Sequence, residues 1–367
     1  MRICFLADGS LIHTHRWIQY FAEKGYQIHL ISTNEIRFGP LDNVTIHRII
    51  PVFQKRMQII SYFLDTFTSI FKARKLIRII KPDIVHAHFL TDYGLMGYFV
   101  HFPLFVVTVW GSDILITPNK SLFFRIMAKL VLNSAKLITC DSDIARKECL
   151  KYCKHPENVE IIQWGVDLSL FREKRRDHTK CINITVLSTR SASPLYNIDS
   201  IIRSIPYVIE KYQNVKFILK NFYGTKVPEL RQFASSLNVM DYIEFVNKKM
   251  DYNELPELLY RANIFVSVPS SDSSSIALHE AMACGLAVIV SDIPSNHEWI
   301  TDGWNGFIVP VRNPEKLASS IIQLIENPEL MQLFGERNAQ IIRDRADREK
   351  HMSHMENLYK QLLGKGK

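Results

Sequence analysis

Short runs of apolar, often β-branched residues alternate along the chain with longer stretches in which apolar residues recur every three or four positions. The first pattern is typical of buried strands and the second of amphipathic helices, so their repetition predicts βα units, parallel sheets and an α/β fold. Strands are predicted at Arg2–Ala7, Gln27–Ile31, Thr45–Ile50, Ile84–Ala87, Leu104–Val109, Leu137–Cys140, Val159–Ile162, Ile182–Ser188, Lys216–Leu219, Ile243–Phe245, Ile264–Val268, Ala287–Val290 and Gly306–Val309. Helices are predicted at His15–Lys24, Gln54–Ile80, Ser142–Tyr152, Ile198–Lys211, Glu229–Leu237, Tyr252–Arg261, Ile276–Cys284 and Pro314–Asn327.

The chain has 367 residues, more than the ~250–300 residues at which a single hydrophobic core stops growing, so two domains are expected. A charged and weakly periodic segment, Asp167–Lys180, separates the two sets of βα units and is predicted to link them. The predicted domains are therefore residues 1–170 and residues 181–344. The carboxyl ends of both parallel sheets are expected to face a central cleft.

The composition, with 47% hydrophobic and 22% charged residues, is that of a globular protein. It excludes disordered and collagen-like classes. No apolar stretch approaches the ~18–20 residues that a membrane span requires, and the chain enters a strand at once without a leader pattern. Six cysteines are too few for a disulfide framework at this length and are expected to be reduced. A cytoplasmic location is therefore expected.

Basic residues are concentrated in the first half of the chain. Residues 1–170 contain 20 Lys and Arg against 14 Asp and Glu, whereas the remaining residues contain 25 against 23. This excess indicates an anionic partner (phosphates, nucleic acid or an acidic membrane surface), or else an ordinary solvated surface. In the segment Phe53–Lys81 the basic residues are mixed with aromatic ones, a pattern that fits either a helix lying on a membrane or a core-facing amphipathic helix.

The segment Val268–Gly285 has the pattern with the clearest chemistry. A strand ends at Val268, a loop of small polar residues follows, and a helix opens near Ile276 and ends at Gly285, a residue type suited to a helix C-terminus. The amides at the start of this helix, together with its dipole, form an anion site suited to a diphosphate. Glu280 can accept two hydrogen bonds from a vicinal diol such as that of ribose. Alternatively, the serines only cap the helix and the acids are solvated.

The segment Val268–Gly285 contains the acid-x7-acid pair Asp272 and Glu280. Four other segments accompany it in order along the chain: Lys81-Pro-Asp-Ile-Val-His-Ala-His88, Ile161-Ile-Gln-Trp-Gly-Val-Asp-Leu-Ser-Leu-Phe171, Ser188-Thr-Arg190 and Asp302-Gly-Trp-Asn-Gly-Phe-Ile-Val-Pro310. This series resembles the retaining GT-B glycosyltransferases of family 4 over most of the chain. The resemblance implies two Rossmann-like domains, the first for the acceptor and the second for the nucleotide sugar. It also implies that a last helix, from about residue 345 to residue 367, packs back on the N-terminal domain.

Carried over position by position, the resemblance implies roles for nine residues, and His88 is a tenth candidate because it lies at the end of a strand near the expected cleft. Three are candidate catalytic residues: Asp272, which would contact the donor sugar, Arg190, which would stabilise the charge of the leaving diphosphate, and His88, which could bond an acceptor hydroxyl. The others would bind the nucleotide sugar, with Glu280 at the ribose: Glu280, Ser273, Ser274, Ser275, Ile276, Gly9 and Tyr196. A simple turn glycine is the alternative for Gly9.

The chain departs from the family pattern at three places. Tyr196 and Asn197 lie where the family has a lysine, so one of them substitutes for it or the phosphate charge is met from elsewhere, with Lys220 as a candidate. Trp110 stands where the family has a histidine on the acceptor side. The turn after the second strand of the C-terminal domain reads Lys220-Asn-Phe-Tyr-Gly224 in place of a glycine-rich sequence.

Two further groups of polar residues have less specific interpretations. His86 and His88 alternate along a strand and are expected to face opposite sides of the sheet, one packed in the core and the other available to an acceptor. Asp141 and Asp143 have the spacing of a manganese motif, but capping of the following helix by these acids is the simpler interpretation. No metal site is predicted.

The resemblance implies transfer of a sugar from a nucleotide diphosphate sugar to a hydroxyl of a carbohydrate or lipid-linked acceptor, with anomeric retention and without a metal ion or other cofactor. Nucleic acid is not an expected partner, whereas contact of the N-terminal domain with the inner face of the cytoplasmic membrane is a further hypothesis. One alternative is a catalytically degenerate homologue that only binds nucleotide sugars or a partner protein. The other, a dinucleotide-dependent oxidoreductase, lacks Gly-x-Gly-x-x-Gly after its first strand.

Overall fold

The computed structural model describes residues 1–50, 60–174, 183–220, 226–247 and 250–365, with side chains over the same ranges except residues 60–64 and 365. The chain divides into two compact units: Met1–Gln163 together with Met352–Lys367, and Trp164–His351. Each unit contains one parallel sheet. The predicted α/β fold class with two parallel-sheet domains is confirmed.

The strands of the N-terminal unit are β1 Arg2–Leu6, β2 Gln27–Ser32, β3 Val44–Arg48, β4 Ile84–His88, β5 Phe105–Val109, β6 Leu137–Cys140 and β7 Val159–Ile161. Over the described residues they form one parallel sheet in the order β3-β2-β1-β4-β5-β6-β7. The chain order reverses between β1 and β4, which pair directly. In doubly wound sheets this switch point, at the carboxyl ends of the strands, is where ligands bind.

The helices of the N-terminal unit before β7 are α1 Ile12–Glu23, α2 Ile60–Ile80, α3 Asp92–Val100, α4 Ser112–Leu115, α5 Leu122–Ser134 and α6 Asp143–Leu150. Side chains of α2, α3, α5 and α6 share one hydrophobic cluster with the sheet; examples are Ile77, Met96, Val131 and Cys149. The strands β4 and β5 are buried along their whole length, as expected for a parallel sheet covered on both faces. Residues 51–59, the start of the helix predicted from Gln54, lie outside the described residues.

The C-terminal residues of the chain complete the N-terminal unit. The last helix, α13, spans Arg348–Lys365, and its Tyr359 is fully buried, with its ring packed against Phe21 of α1. The Tyr26 hydroxyl donates a hydrogen bond of 2.6 Å to Glu356 Oε1. These contacts fasten α13 to α1 and to the loop that follows it.

The strands of the C-terminal unit are β8 Ile184–Ser188, β9 Val215–Leu219, β10 Ile243–Phe245, β11 Ile264–Ser267, β12 Ala287–Ser291 and β13 Phe307–Val309. Over the described residues they form a second parallel sheet in the order β10-β9-β8-β11-β12-β13. The chain order reverses between β8 and β11, which again pair directly. The second unit therefore has its own switch point at the carboxyl ends of β8 and β11.

The helices of the C-terminal unit are α7 Ile198–Ile209, α8 Val227–Ser236, α9 Leu255–Tyr260, α10 Ile276–Ala283, α11 Pro314–Glu326 and α12 Pro328–Arg345. One hydrophobic cluster joins α7, α8 and α11 to the sheet, and a second joins α9 and α10 to it. In α7, apolar residues at the spacing of a helix face are buried in the first cluster, among them Ile198, Ile201, Ile205 and Val208.

The segment that follows β7 packs on the C-terminal unit, so the division falls earlier than the predicted domain end at residue 170. The Val166 N–H donates to Ala346 O at 2.7 Å, and the Arg348 N–H donates to Val166 O at 3.1 Å. Gly165 has φ +67°, and a Cβ there would lie 2.4 Å from Arg348 Cα. Only glycine therefore fits where residue 165 packs against the backbone of Arg348. The rest of the predicted linker, residues 175–182, lies outside the described residues.

Candidate active site

The carboxyl ends of β8 and β11 bring two polar loops together. β8 and β11 are neighbours in the sheet; Arg190 follows β8, and Asp272 lies in the loop between β11 and α10. Parallel neighbours end at the same edge of a sheet, so residues far apart in sequence meet at this edge.

Arg190 is at the centre of a hydrogen-bonded cluster. Its side chain is 9% exposed, Nη1 donates to Ser275 Oγ at 2.6 Å, and Nη2 donates to Asp272 Oδ2 at 2.7 Å. The guanidinium carbon lies 4.1 Å from the centroid of the Tyr196 ring. A planar guanidinium is suited to a fork of hydrogen bonds combined with a stacked ring. Four of the sequence-predicted residues therefore form one cluster in which the cation is fixed in orientation.

The N-terminus of α10 lies next to this cluster. Ser275 is the N-cap of the helix, and its Oγ accepts the Leu278 N–H at 3.3 Å. Asp272 Oδ1 accepts the Ser273 N–H at 3.0 Å. The other two predicted residues of this turn flank the cap and are half-buried: Ser274 and Ile276. The positive end of the α10 dipole therefore lies beside the Arg190 guanidinium.

Glu280 and Lys220 are electrostatically coupled at the same edge of the sheet. Glu280, in the second turn of α10, is buried. Burial lowers the pKa of Lys220, and the charge of the Glu280 carboxylate raises it. The Lys220 N–H donates to Ser188 O at 2.9 Å, so Lys220 lies where β8 and β9 end. Residues 221–224, the remainder of the predicted turn, lie outside the described residues.

Asn197 holds the two loops in register, a role that the sequence did not reveal. It adopts a left-handed conformation with φ 49°, and its Nδ2 donates to Val268 O and to Ser270 Oγ, both at 2.9 Å. Arg312 Nε donates to Asn197 Oδ1 at 3.1 Å. Tyr and Asn side chains carry no positive charge, so Tyr196, stacked on Arg190, and Asn197 do not supply the charge of the family's lysine.

The far end of α10 closes as its sequence predicts. Gly285 has φ +74°, its N–H donates to Met282 O at 2.9 Å, and the Leu286 N–H donates to Ala281 O at 3.1 Å. This is the Schellman arrangement. A Cβ on Gly335 of α12 would lie 2.2 Å from Gly285 O. Two glycines therefore set how closely α12 packs on the end of α10.

In the N-terminal unit, aromatic and imidazole rings cluster where β1 and β4 end. The His88 ring centroid lies 5.1 Å from that of Trp17, 5.5 Å from that of Phe5 and 5.6 Å from that of Trp110. The ring centroids of His13 and Trp110 are 5.7 Å apart. Trp110, the residue that replaces the family's histidine, is therefore part of this cluster.

The prediction that His86 and His88 face opposite sides of the sheet is wrong. Their ring centroids are 4.7 Å apart, because residues two apart in a strand lie on the same face. His86 bonds through Nδ1 with the Tyr359 hydroxyl at 2.5 Å and through Nε2 with Thr108 Oγ1 at 2.6 Å. Within the described part of the chain, neither ring nitrogen of His88 has a hydrogen-bond partner, although His88 is 1% exposed. Burial, followed by the neighbouring His13, lowers the pKa of His88 to about 3.

The loop that carries Trp110 is fixed by a buried carboxylate. Asp113 accepts the Leu90 N–H at 2.7 Å and the Trp110 N–H at 3.0 Å. Burial raises its pKa to about 6, and the backbone N–H groups that donate to it act in the opposite direction. Gly111 has φ +106°, a conformation suited to glycine. Asp113 thus positions the Trp110 ring, a role that the sequence did not reveal.

Gly9, predicted to let a backbone approach phosphates, follows β1. Its N–H donates to Ser32 Oγ at 3.0 Å, and the Arg37 N–H donates to its carbonyl oxygen at 3.1 Å. A Cβ at this position would lie 2.2 Å from Ile36 Cδ1. Because Cδ1 is the far end of a flexible side chain that can move aside, this contact alone does not require glycine at position 9.

The acid pair Asp141 and Asp143 is arranged around a helix cap. Ser142, between them, is the N-cap of α6, with its Oγ accepting the Ala145 N–H at 3.2 Å. The N-cap side chain is thus Ser142, and Asp143 lies in the first turn of α6, where a negative charge interacts favourably with the helix dipole. Among the described residues no group of three or more His, Cys, Asp and Glu is placed to hold a metal ion. No helix in the same part of the chain is long and apolar enough to cross a membrane.

Two family models match consecutive parts of this chain. Residues 2–142 match the model described as glycosyl transferase 4-like, and residues 171–341 match glycosyl transferases group 1. An uncharacterized glycosyltransferase of Methanocaldococcus jannaschii is 23% identical over 358 residues, 96% of this chain and 95% of that protein. The N-acetyl-alpha-D-glucosaminyl L-malate synthase of Bacillus anthracis is 21% identical over 357 residues, 93% of this chain and 91% of that protein.

Solved structures with similar folds cover nearly the whole chain. Sucrose-phosphate synthase from Thermosynechococcus elongatus has a TM-score of 0.81 at 15% identity and covers 99% of both chains. Anabaena HepE in complex with UDP-glucose has a TM-score of 0.77 at 16% identity and covers 98% of this chain and 100% of that chain. These similarities establish the fold. The family matches show that the protein is a glycosyltransferase with the GT-B fold. It belongs to the group 1 glycosyltransferases.

Proposed function

We propose that the protein is a retaining glycosyltransferase that moves a hexose or related sugar from a nucleotide diphosphate to a hydroxyl acceptor. The observation that carries the proposal is the Arg190 guanidinium, held between Asp272 and the Ser275 cap of α10. During transfer, the bond from the anomeric carbon to the diphosphate breaks and negative charge grows on the leaving oxygen. A cation and a helix N-terminus that are already oriented stabilise that charge without reorganisation.

Two further groups support binding of the donor at this edge. Lys220 is a second cation, close enough to Glu280 to be influenced by its charge. Together with Arg190 and α10 it supplies positive potential for a diphosphate, so we propose that transfer needs no divalent ion. Glu280 would accept hydrogen bonds from the ribose hydroxyls.

Asp272 retains capacity to contact the donor sugar. One carboxylate oxygen accepts from Arg190 and the other from the Ser273 N–H, and a carboxylate has about four acceptor positions in total. The remaining positions can accept sugar hydroxyls while the bond to Arg190 persists. This arrangement couples the orientation of the sugar to that of the Arg190 guanidinium. The proposal that transfer retains the anomeric configuration rests on the family resemblance.

The acceptor would bind in the N-terminal unit, with His88 as the candidate contact. Because burial keeps its pKa near 3, the imidazole is neutral at pH 7, with one donor and one acceptor nitrogen. Since His88 is 1% exposed, the rings packed around it would have to move for a hydroxyl to reach these nitrogens. A carbohydrate or lipid-linked acceptor fits this chemistry, with a role in glycan, polysaccharide or glycolipid synthesis. A lipid-linked acceptor would place the protein at the inner face of the cytoplasmic membrane.

A donor panel tests this proposal. Thermal unfolding is measured with UDP-, GDP- and ADP-sugars, beginning with UDP-glucose because HepE binds it, for wild type, Glu280→Gln and the exposed control Glu257→Gln on α9. Saturation to about a hundred times Kd stabilises a protein by about 2.7 kcal/mol. One nucleotide is expected to raise Tm in wild type and in the control and to lose most of that effect in Glu280→Gln. Equal shifts in all three proteins would remove Glu280 from the ribose role.

The same donors distinguish an enzyme from a degenerate homologue. Wild type is incubated with the stabilising donor and with acceptor mixtures, and released nucleoside diphosphate is measured. Turnover that depends on acceptor supports transfer. A protein that binds the nucleotide but releases no product from any mixture would support the binding-protein alternative.

A further inference from the structure

The outer side of α5 exposes a stripe of large apolar side chains. Four residues at helical spacing are between 43% and 70% exposed: Leu122, Phe123, Ile126 and Leu130. On the opposite side of the helix, the buried residues join the hydrophobic core: Met127, Ala128, Val131 and Leu132. A helix at the surface of a monomer normally has one apolar side and one polar side. The second apolar side of α5 is therefore not explained by folding.

The neighbouring helices α2 and α3 also expose large apolar side chains. α3 packs against both α5 and α2, and its Phe99 is 42% exposed. On α2, Phe67 and Phe71 are more than half exposed, and their rings pack edge to face with centroids 4.9 Å apart. Exposed apolar area that extends over three adjacent helices marks an interaction surface. We call these seven residues of α2, α3 and α5 the apolar surface.

Basic side chains border the apolar surface. α5 contains Arg125 and Lys129 and no acidic residue, and both side chains are exposed. Further exposed basic residues lie at the ends of α5 and along α2: Lys120, Lys136, Lys72, Arg74, Lys75 and Arg78. The N-terminal excess of positive charge is thus concentrated around exposed leucine and phenylalanine side chains. Apolar side chains that enter the acyl boundary, with Lys and Arg at the headgroups, are the features of a monotopic membrane contact.

We propose that the apolar surface docks the protein on an anionic lipid bilayer. The sequence motivated membrane contact of the N-terminal domain by the segment Phe53–Lys81, and the structure adds the exposed apolar residues of α5 and α3. A second copy of the chain fits less well, because a symmetric contact would bring the basic borders of both copies together. This proposal is independent of the transfer reaction, since it requires neither donor nor acceptor.

The test is vesicle binding by the full-length protein without donor or acceptor. Vesicles of phosphatidylcholine alone are compared with vesicles of phosphatidylcholine and phosphatidylglycerol by co-sedimentation. Wild type is expected to bind the mixed vesicles, to bind neutral vesicles at least about tenfold more weakly, and to be released by salt. The triple variant Leu122→Ser/Phe123→Ser/Ile126→Ser is expected to lose at least about tenfold in affinity. The double variant Arg125→Gln/Lys129→Gln is expected to lose about thirtyfold in affinity.

Matched controls lie on the C-terminal unit. Tyr207→Ser/Leu333→Ser removes two apolar side chains that are 44% and 40% exposed, and Lys211→Gln/Lys316→Gln removes two exposed lysines; both are expected to bind as wild type does. Thermal unfolding, with and without the stabilising donor, shows that each variant is folded and keeps its donor site. The proposal is overturned if the triple variant binds vesicles like wild type, if phosphatidylglycerol makes no difference, or if wild type binds no vesicles. If wild type binds no vesicles but forms a dimer, and the triple variant does not form that dimer, the apolar surface would be assigned to contact with a second copy of the chain.

Discussion

Arg190 and Asp272 are joined by a 2.7 Å hydrogen bond between Nη2 and Oδ2, although they lie on loops after two different strands. The same guanidinium bonds Ser275 and stacks on Tyr196. Arg190, the proposed leaving-group cation, therefore bonds both the candidate sugar contact Asp272 and the N-cap of α10, Ser275. Its geometry, and not only its charge, is expected to matter for transfer.

Replacing Arg190 with lysine tests this geometry. Lysine keeps the charge but cannot bond both Asp272 and Ser275 while stacking on Tyr196. We expect Arg190→Lys to lower kcat about 10²–10³-fold, the usual cost of removing an oriented donor to a developing charge. Donor binding, measured by calorimetry, is expected to change much less. The exposed Arg203→Lys on α7 is the matched control and should behave as wild type; unchanged kcat in Arg190→Lys would contradict the leaving-group role.

Local sequence signals predicted the two ends of α10 correctly. The serines before α10 and Gly285 after it mark the ends of that helix, and the structure has both. The family resemblance alone placed Arg190 and Asp272 at the donor site, and their direct contact was not predicted. Asn197 could not be found in the same way, because its partners Val268 and Arg312 lie far along the chain. Its one local signal is the tolerance of asparagine for positive φ.

The helices between β4 and β6 were missed for a physical reason. α3 contains two glycines, which lower intrinsic helix propensity. Yet a Cβ on Gly97 would lie 2.2 Å from the Phe105 ring, so glycine is needed for the helix to approach β5. α5 has apolar residues on both sides, which obscures the amphipathic period. Tertiary packing in the first case, and an exposed surface in the second, override the patterns used for prediction.

His88 and His86 offer a paired test of the candidate acceptor side. Buried polar groups without partners cost about 1–3 kcal/mol, so His88→Phe is expected to leave the free energy of unfolding unchanged or to increase it. The same change removes both ring nitrogens and is expected to lower acceptor-dependent turnover about 10²-fold. His86→Phe instead breaks the bonds to Tyr359 and Thr108 and is expected to cost about 1–3 kcal/mol of stability.

The two variants are measured by urea unfolding and by release of nucleoside diphosphate. An interaction with substrate predicts that His88→Phe loses turnover without losing stability. If His88→Phe is destabilised like His86→Phe and, once folded, turns over at the wild-type rate, then His88 is a core residue and has no role toward the acceptor.

His279 of α10 provides a test of pH dependence away from the reacting groups. Its ring centroid lies 4.0 Å from that of Trp299, and burial, followed by the charges of Arg345 and His351, lowers its pKa to about 3. The unfolded chain binds a proton at this residue below pH 6.5, whereas the folded chain does not, so stability falls as pH decreases from 6.5 toward 3. Above pH 6.5 His279 is neutral in both states, so this loss of unfolding free energy is absent there.

At pH 5 this single residue is expected to cost about 2 kcal/mol of unfolding free energy relative to pH 7. Urea unfolding at the two pH values is therefore compared for wild type and His279→Leu, which cannot take up the proton; the variant should lose about 2 kcal/mol less than wild type. Ile289→Val, a core change in the same unit, is the control and should cost about 1 kcal/mol equally at both values. Parallel pH profiles for wild type and His279→Leu would mean that His279 takes up its proton in the folded state as readily as in the unfolded chain, and that its burial beside Trp299 carries no penalty for charge.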